Sequence, residues 1–269
     1  MLLSASWAAA LTEEPERPYR LGLGLGCSFT GYRDEAESPI NRYLNTLSFT
    51  IDGTIEKGIM LHTLNMHFFI GDAKNPAPYR GHNHIPYIST RANFTYALDW
   101  RLWGNQILPG YLGGAFRTIL HYTGTNIRDA SADVYGLSPP TGAAIFSLDL
   151  HIRQEWAINA RNTLVLTAGV PVFGYAIRPP YAGYDELWGK YLEEGAYLNL
   201  LTLGEITSFH NYQAGFGDLK YYFSINPLLS PFAGLGFELS RIQIPEHRPR
   251  ADAILRLTAG VTFAFQGKK

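Results

Sequence analysis

The amino-acid sequence predicts an all-β protein, a closed antiparallel up-and-down β-barrel that crosses a membrane with about ten strands. Apolar and polar residues alternate with a period of two almost from end to end, which is typical of strands whose two faces meet different surroundings. Aromatic residues make up 14% of the chain and charged residues only 17%, and there are 27 glycines. This composition is rich in rings and poor in charge for a soluble globule, and it fits a protein with much of its surface in lipid.

The alternation is clearest in residues 145–156, and segments 91–103 and 251–265 repeat it. Apolar residues occupy one face of each predicted strand and polar residues the other. In the clearest segment the apolar face holds Phe146, Leu148, Leu150 and Ile152, and the polar face holds Ser147, Asp149, His151, Arg153 and Glu155. We expect the apolar faces to contact lipid and the polar faces to line the barrel interior.

Ten segments carry this pattern, and most are longer than the strands of ordinary soluble proteins. Their length suits a tilted membrane crossing with an overhang. The predicted strands are 19–32, 43–55, 59–71, 87–103, 111–124, 144–157, 163–176, 207–225, 231–244 and 251–265. The apolar residues 196–203 lie outside this set and could form a plug, a rim helix or another strand. A further strand would raise the count to about twelve, because bacterial barrels keep an even number.

The connections between these strands alternate in length, which predicts the orientation of the barrel. Membrane barrels place short turns in the periplasm and longer loops outside. The short connections are 56–58, 104–110, 159–162 and 226–230, and the long ones are 33–42, 72–86, 125–143 and 177–206, with a shorter one at 245–250. Starting the first strand in the periplasm puts every short turn there.

The remaining segments complete the predicted domain organisation. Residues 1–10 resemble the end of a signal peptide, since Ala8 and Ala10 fit the small-residue cleavage rule. We expect residues 11–18 to form a periplasmic segment, 19–265 the barrel and 266–269 a periplasmic tail.

A soluble β-sandwich would show the same alternation, so periodicity alone does not decide the fold class. Three observations favour the barrel over the sandwich. An even number of strands joined by hairpins can close the wall and leave no exposed backbone edge, which hydrocarbon does not tolerate. The signal-like N-terminus indicates export, and aromatic residues cluster near the strand ends on the apolar faces, as in the aromatic girdles of membrane barrels. The clustered residues are Trp100, Trp156, Tyr221 and Phe223 at one end and Tyr122 and Tyr175 at the other.

The polar faces carry interleaved acids and bases that form the candidate site, a polar network in the lumen. Such a network could serve a selective conduit or a ligand site, or it could be a salt-bridged filling of a small barrel. The predicted members are Arg91, Asp99, Arg101, Arg117, His121, Asp149, His151, Arg153, Glu155, Asp218, Lys220, Glu238 and Arg256.

No catalytic residue, metal site or cofactor is predicted from the motifs. His121 and Ser147 share the inward parity on neighbouring strands, and a nucleophile–base pair would need their register to match. The Ser208–Phe209–His210 stretch has suitable residue types, but it lies where the apolar parity shifts, which predicts a β-bulge near Gly217. His82 and His84 could share a metal only with further ligands, so we expect a solvated loop there.

The chain resembles the bacterial outer-membrane β-barrel class as a whole. The resemblance rests on the alternating last strand with its terminal aromatics, Phe263 and Phe265, and on the turn and strand at 226–236. It implies residence in the cell outer membrane, contact with outer-membrane lipid, and recognition of Phe263 and Phe265 by the barrel-assembly machinery. Four residues follow Phe265, which departs from the usual terminal aromatic. Ten-stranded outer-membrane proteases are similar in predicted size, but their acidic pairs and His–Asp pair at the outer rim have no match here.

Three functions fit these expectations. The first is a narrow channel or transporter for small polar solutes. The alternatives are a lipid or peptide hydrolase at the outer rim, and a structural or adhesive barrel whose outer loops bind partners. A net charge of -1 argues against nucleic acid as a partner, and the sequence leaves the oligomeric state open.

Overall fold

The chain folds into one antiparallel sheet that closes on itself. The computed structural model describes residues 19–34, 38–74, 87–104, 108–125, 141–178, 190–191, 194–195, 197–244 and 249–265. The strands are β1 (Tyr19–Asp34), β2 (Ser38–Lys57), β3 (Met60–Lys74), β4 (Tyr87–Trp103), β5 (Gly110–Thr125), β6 (Thr141–Ala157), β7 (Asn162–Ile177), β8 (Glu205–Ser208), β9 (Tyr212–Phe223), β10 (Leu229–Ile242) and β11 (Arg250–Phe265).

Ten of these strands form the barrel wall, which confirms the predicted fold class and strand number. Each strand from β1 to β7 pairs with the next, β7 continues to β9, and β9, β10 and β11 follow in order. The last pairing joins β11 to β1, from Tyr19 opposite Phe265 to Asp34 opposite Arg250. Every wall strand therefore has a hydrogen-bonded neighbour on both sides, as a structure in hydrocarbon requires.

The predicted strand 207–225 is interrupted by a tight turn. The Asn211 amide donates to the Ser208 carbonyl (3.1 Å), and the Asn211 side chain accepts from the Ser208 amide (2.8 Å). The short strand β8 pairs with the outer half of β7, and β9 pairs with its other half.

The bulge predicted near Gly217 is wrong. The β9–β10 register runs without a shift from Tyr212 opposite Ile242 to Tyr222 opposite Phe232. The parity of the apolar residues changes there because the aromatic side chains of Tyr212 and Phe216 lie on the inward face of β9, not because the backbone slips.

The two faces of the wall differ as expected for a membrane barrel. On β2, Leu47 is 73% exposed while its neighbour Ser48 is 3% exposed, and on β11 Leu257 is 46% exposed beside Arg256 at 5%. Apolar side chains thus point outward and polar ones inward, the reverse of a soluble protein core. This arrangement excludes the β-sandwich alternative.

Glycines on β1 allow close approach inside the barrel. A Cβ atom on Gly26 would lie 2.0 Å from the Leu257 carbonyl oxygen, and one on Gly24 would lie 2.9 Å from the Phe232 ring. These positions accept only glycine without rearrangement, so the run of alternating glycines in β1 makes room for backbone and ring atoms from neighbouring strands.

Most connections at one end of the barrel are longer than those at the other. The prediction of a long outer connection at 33–42 is wrong, because β1 extends to Asp34, β2 begins at Ser38 and the two strands pair up to these residues. At one end β2 turns into β3 through Gly58, whose φ of 58° suits glycine. At the other end lies the long connection after β7, which includes a 3-10 helix, Tyr197–Leu203. The Tyr175 hydroxyl donates to the Leu201 carbonyl, so residues 197–203 of the apolar segment form a rim helix rather than a further strand.

Among the described residues, no helix is both long and apolar enough to cross a bilayer. The predictions for residues 1–10, 11–18 and 266–269, and for His82 and His84, fall outside the described residues.

Candidate functional site

The interior of the barrel is filled by side chains that form ion pairs across it. All the residues of the predicted polar network lie on inward faces, because each shares the parity of the polar positions on its strand. Most are buried, and the structure brings them together in clusters at successive levels between the short-turn end and the outer end.

The short-turn end of the lumen holds two ion pairs. Arg101 on β4 contacts Glu56 at the end of β2, and the Tyr111 hydroxyl donates to the same carboxylate (3.2 Å). Arg153 and Glu155 on β6 pair with each other through a 2.8 Å contact.

The next level joins strands that are not neighbours in the wall. Lys220 on β9 donates to Asp52 on β2 (2.5 Å), and Arg256 on β11 donates to Asp218 on β9 (2.5 Å). The Lys220–Asp52 contact crosses the lumen, whereas the Arg256–Asp218 contact spans only the intervening strand β10.

The centre of the lumen is organised around Glu238 on β10. Arg91 Nη2 donates to Glu238 Oε1 (2.5 Å) and Asn93 Nδ2 donates to Oε2 (3.1 Å). Arg117 on β5 lies 3.6 Å from the same Oε1 and 2.8 Å from Asp149 Oδ2 on β6. All of these side chains are buried, so the charges are held in pairs away from bulk water.

Asp99 and His151 form a buried pair between β4 and β6. His151 Nδ1 lies 2.9 Å from both carboxylate oxygens of Asp99, and the two side chains are 1% and 0% exposed. The imidazole also stacks near Phe216, with ring centroids 6.3 Å apart. This His–Asp pair lies toward the short-turn ends of its strands, away from the outer rim where a protease site would meet its substrate.

The outer end of the lumen carries a connected cluster. Arg250 at the start of β11 pairs with Asp252 (3.0 Å), lies 3.6 Å from Asp34 on β1, and places Nη1 2.9 Å from His121 Nδ1 on β5. Arg178, which directly follows β7, contacts Asp34 and donates to the Ile244 carbonyl (2.8 Å). Arg178, at the start of the longest outer connection, is thereby joined to β1, which is not a neighbour of β7 in the wall.

A small cavity lies beside this cluster. It has room for about one water molecule. Its lining includes Arg91, His121, Arg250 and Asp252, together with Tyr32 and Phe69.

Apolar and aromatic residues inside the lumen were missed by the sequence analysis. Ile119, Ile145, Ile242 and Ile244 form a buried cluster with Ala176 and Tyr212 on the β5–β10 side of the outer half. Lower down, the Phe216 ring packs against the Arg117 guanidinium, 4.5 Å from ring centroid to Cζ. Asp218 and Lys220 point into the lumen, and every second residue of a strand shares the same face. This alternation, extended along β9, would have predicted that Tyr212 and Phe216 also point inward.

The structure does not assemble the nucleophile–base pair considered for His121 and Ser147. In the β5–β6 register Ser147 lies opposite Arg117, whereas His121 lies opposite Ala143. His121 Nδ1 is engaged by Arg250 instead. Ser208 ends β8 and His210 lies on the exposed turn that follows it. Within the described part of the chain, no group of three or more His, Cys, Asp or Glu residues is placed to hold a metal.

Comparison with known proteins relates the chain to others by fold alone. No protein-family model matches the sequence, and no curated protein matches it. The outer membrane protease OmpT from Escherichia coli is similar in structure, with a TM-score of 0.55 at 8% identity over 93% of this chain and 98% of that one. The translocator domain of autotransporter NalP from Neisseria meningitidis matches with a TM-score of 0.44 at 8% identity, over 96% of this chain and 92% of that one.

An outer membrane channel from Pseudomonas putida F1 matches with a TM-score of 0.40 at 9% identity, over 95% of this chain and 98% of that one. The likeness to OmpT establishes a common barrel architecture. The outward apolar face and the closed wall of ten strands agree with it. The chain therefore has the closed, outward-apolar barrel fold that the outer membrane protease OmpT also has.

Proposed function

We propose that this protein is a closed, non-conducting barrel that anchors its long outer connections in the outer membrane as a binding surface for an extracellular partner. The observation that carries this proposal is the filling of the lumen by ion pairs that cross it. Arg91–Glu238 links β4 to β10, and Lys220–Asp52 links β9 to β2.

A solute crossing the barrel would have to separate several of these pairs. Removing one partner of a buried ion pair costs about 3–5 kcal/mol, because the other charge is left unpaired in a poorly solvated place. The pairs occur at successive levels, so a solute would meet a barrier of this kind at each level along the path. This argues against the narrow channel for polar solutes that the sequence favoured first.

The outer connections support the binding role. The strands are separated at the outer end by residues 35–37, 75–86, 126–140, 178–204 and 243–249, and at the other end by 58–59, 104–109, 158–161 and 224–228. Most of the outer connections are longer than any at the other end. Loops held by a rigid scaffold commonly carry recognition. The greater length of chain at the outer end supports these connections as the binding surface.

Single-channel recording in planar lipid bilayers tests the closed lumen. We expect no conductance steps from the wild-type protein. The Arg91→Ala/Arg117→Ala/Glu238→Ala variant removes only the central level and serves as the matched control, which should also show no conductance steps because the ion pairs above and below that level remain. Heat-dependent migration in SDS gels verifies that both proteins are folded. Regular conductance steps from the wild type would overturn the proposal in favour of the channel.

A second experiment tests the outer connections. Residues 126–140 are replaced by a short Gly-Ser turn, and the protein is compared with wild type in nanodiscs on arrays of immobilised glycans and extracellular-matrix proteins. We expect at least one interaction of the wild type to be lost while the barrel stays folded. The equivalent replacement of 104–109 at the short-turn end should leave binding intact. Identical binding by all three proteins would contradict the proposal.

A further inference from the structure

The short-turn end of the barrel presents large apolar side chains around its whole circumference. Each of the four short turns exposes one or more of them, including Ile59, Leu108, Ile158 and Ile225. At the fifth point of this rim the ends of β1 and β11 pair, and there Tyr19 and Phe265 are exposed opposite each other. Single exposed apolar residues are common, but a set at every strand connection of one end indicates a contact surface.

The short turns are also almost without charge. Residues 58–59, 104–109, 158–161 and 224–228 contain one charged residue, Arg161, and no acidic residue. A turn that meets bulk water has no physical reason to avoid ionic side chains, because water solvates them well and apolar surroundings do not. The composition therefore indicates an environment less polar than water at this rim.

The backbone of two of these turns is satisfied without water. Asn159 Oδ1 accepts from the amides of Arg161 (2.9 Å) and Asn162 (3.0 Å). Asn226 Oδ1 does the same for the amides two and three residues further along the chain (2.8 and 2.9 Å). A main-chain amide with a partner inside its own turn can enter a bilayer interface at little cost, whereas an unpaired amide cannot.

The aromatic residues next to the turns have their polar atoms bound by the protein. The Tyr221 hydroxyl donates to Asn162 Oδ1, and Trp103 Nε1 donates to Gln154 Oε1 (2.9 Å). In membrane proteins such polar atoms usually hold the ring at the level of the headgroups. These two rings have protein partners instead, so they can lie among acyl chains while the turns beyond them occupy the interface.

We propose that the short turns form a collar that inserts into the bilayer interface, with phospholipid as its partner. The apolar side chains lie against the first carbons of the acyl chains. Arg161 reaches the headgroup phosphates, which the planar guanidinium binds through paired hydrogen bonds. The inference rests on the proposed function only for the location of the barrel in a membrane.

Two features favour lipid over a protein as the partner of the collar. Ile158 and Ile225 extend the outward rows of Trp156 and Phe223, so the lipid-facing surface of the wall continues into the turns. The exposed side chains also occupy every side of the barrel, as a surrounding bilayer requires, whereas a single protein would cover one side. Insertion of the collar fixes the depth of the barrel in the bilayer.

NMR of the intact protein in phosphatidylcholine nanodiscs tests the depth of the collar. Two paramagnetic probes are added separately, a water-soluble gadolinium chelate and a phospholipid that carries a nitroxide near the headgroup end of its acyl chain. We expect the amide signals of Ile158 and Ile225 to be broadened by the lipid nitroxide and to persist with the chelate. Signals that vanish with the chelate and do not respond to the nitroxide would overturn the proposal.

A pair of variants tests whether the apolar side chains set this depth. The Ile158→Asp/Ile225→Asp variant places carboxylates in two turns, and the chelate should then broaden the signals of both turns. The Ile158→Leu/Ile225→Leu variant keeps the turns apolar and is the matched control, which should behave like the wild type.

Turns of the Asp variant that stay protected from the chelate would show that these side chains do not hold the collar in lipid, and the proposal would fail. If the Asp variant does not fold, Ile158→Ser/Ile225→Ser replaces it, and the wild-type comparison of the two probes remains decisive. The readout is depth in the bilayer rather than conductance or partner binding, so its outcome is separate from that of the proposed function.

Discussion

The Arg91 guanidinium on β4 reaches across the lumen to the Glu238 carboxylate on β10, with Nη2 and Oε1 2.5 Å apart. The two residues are 147 positions apart in the chain and their strands are not neighbours in the wall. Glu238 also lies between Arg91 and Arg117, so one carboxylate serves two buried cations. Several properties of the barrel depend on this arrangement.

Replacing Glu238 by alanine should strongly destabilise the barrel. The change leaves Arg91 and Arg117 without their shared carboxylate, and we expect a loss of about 3–5 kcal/mol in the free energy of unfolding. Urea unfolding in phospholipid vesicles measures it. Arg241→Gln changes an exposed position of the same strand and should have little effect. Equal stability of the two variants would show that the central ion pairs contribute nothing.

An arginine on the outer face should be costly in the middle of the wall and tolerated near its end. Leu257 lies midway along β11, and Leu257→Arg should cost about 2–4 kcal/mol, whereas Tyr19→Arg at the start of β1 should cost about 0–1 kcal/mol. Both residues point outward. The comparison uses urea unfolding in vesicles, and equal costs at both positions would mean that Leu257 does not face hydrocarbon.

Adding one methyl group at Gly26 should destabilise the β1–β11 pairing. The new Cβ atom would lie 2.0 Å from the Leu257 carbonyl oxygen, so the backbone must move, at a cost of about 1–3 kcal/mol. Gly215→Ala is the matched control, because nothing lies within 4 Å of its added Cβ. Thermal unfolding monitored by circular dichroism compares them, and a Gly26→Ala variant as stable as Gly215→Ala would contradict the close approach.

Phe265→Ala should slow membrane assembly in cells more than it lowers stability in vitro. Phe265 is 53% exposed at the end of β11, so little packing is lost when the ring is removed. Pulse-chase measurement of folded protein in the outer membrane reports assembly, and urea unfolding reports stability. Leu255→Ala, an exposed change in the same strand, should assemble at the normal rate. Similar assembly of both variants would argue against Phe265 as the residue recognised by the assembly machinery.

The wall of the barrel could be predicted because lipid and lumen impose opposite demands on successive residues. Strand β4 begins and ends at the predicted residues 87 and 103. Strand β2 is longer than predicted, since residues 38–42 continue the pairing beyond the clear alternation.

The contents of the lumen were predicted by residue type but not by partner. Which acid meets which base depends on the tilt and stagger of the whole barrel, and period-two alternation carries no information about either. The inward Phe216 was missed for a local reason. Its ring fills the space left by Gly169 on β7, where a Cβ atom would lie 2.3 Å from the ring. Glycines facing the lumen are therefore the sequence feature most able to indicate inward aromatic residues.

The pairing of β1 with β11 has a consequence for biogenesis. Before the wall closes, the strand at each of its edges presents a row of unpaired amide and carbonyl groups. The row on β1 is paired only when β11, the last wall strand in sequence order, joins it. A nascent chain left alone at that stage would recruit other copies of itself. Both strand edges stay open to such pairing until β11 closes the wall against β1.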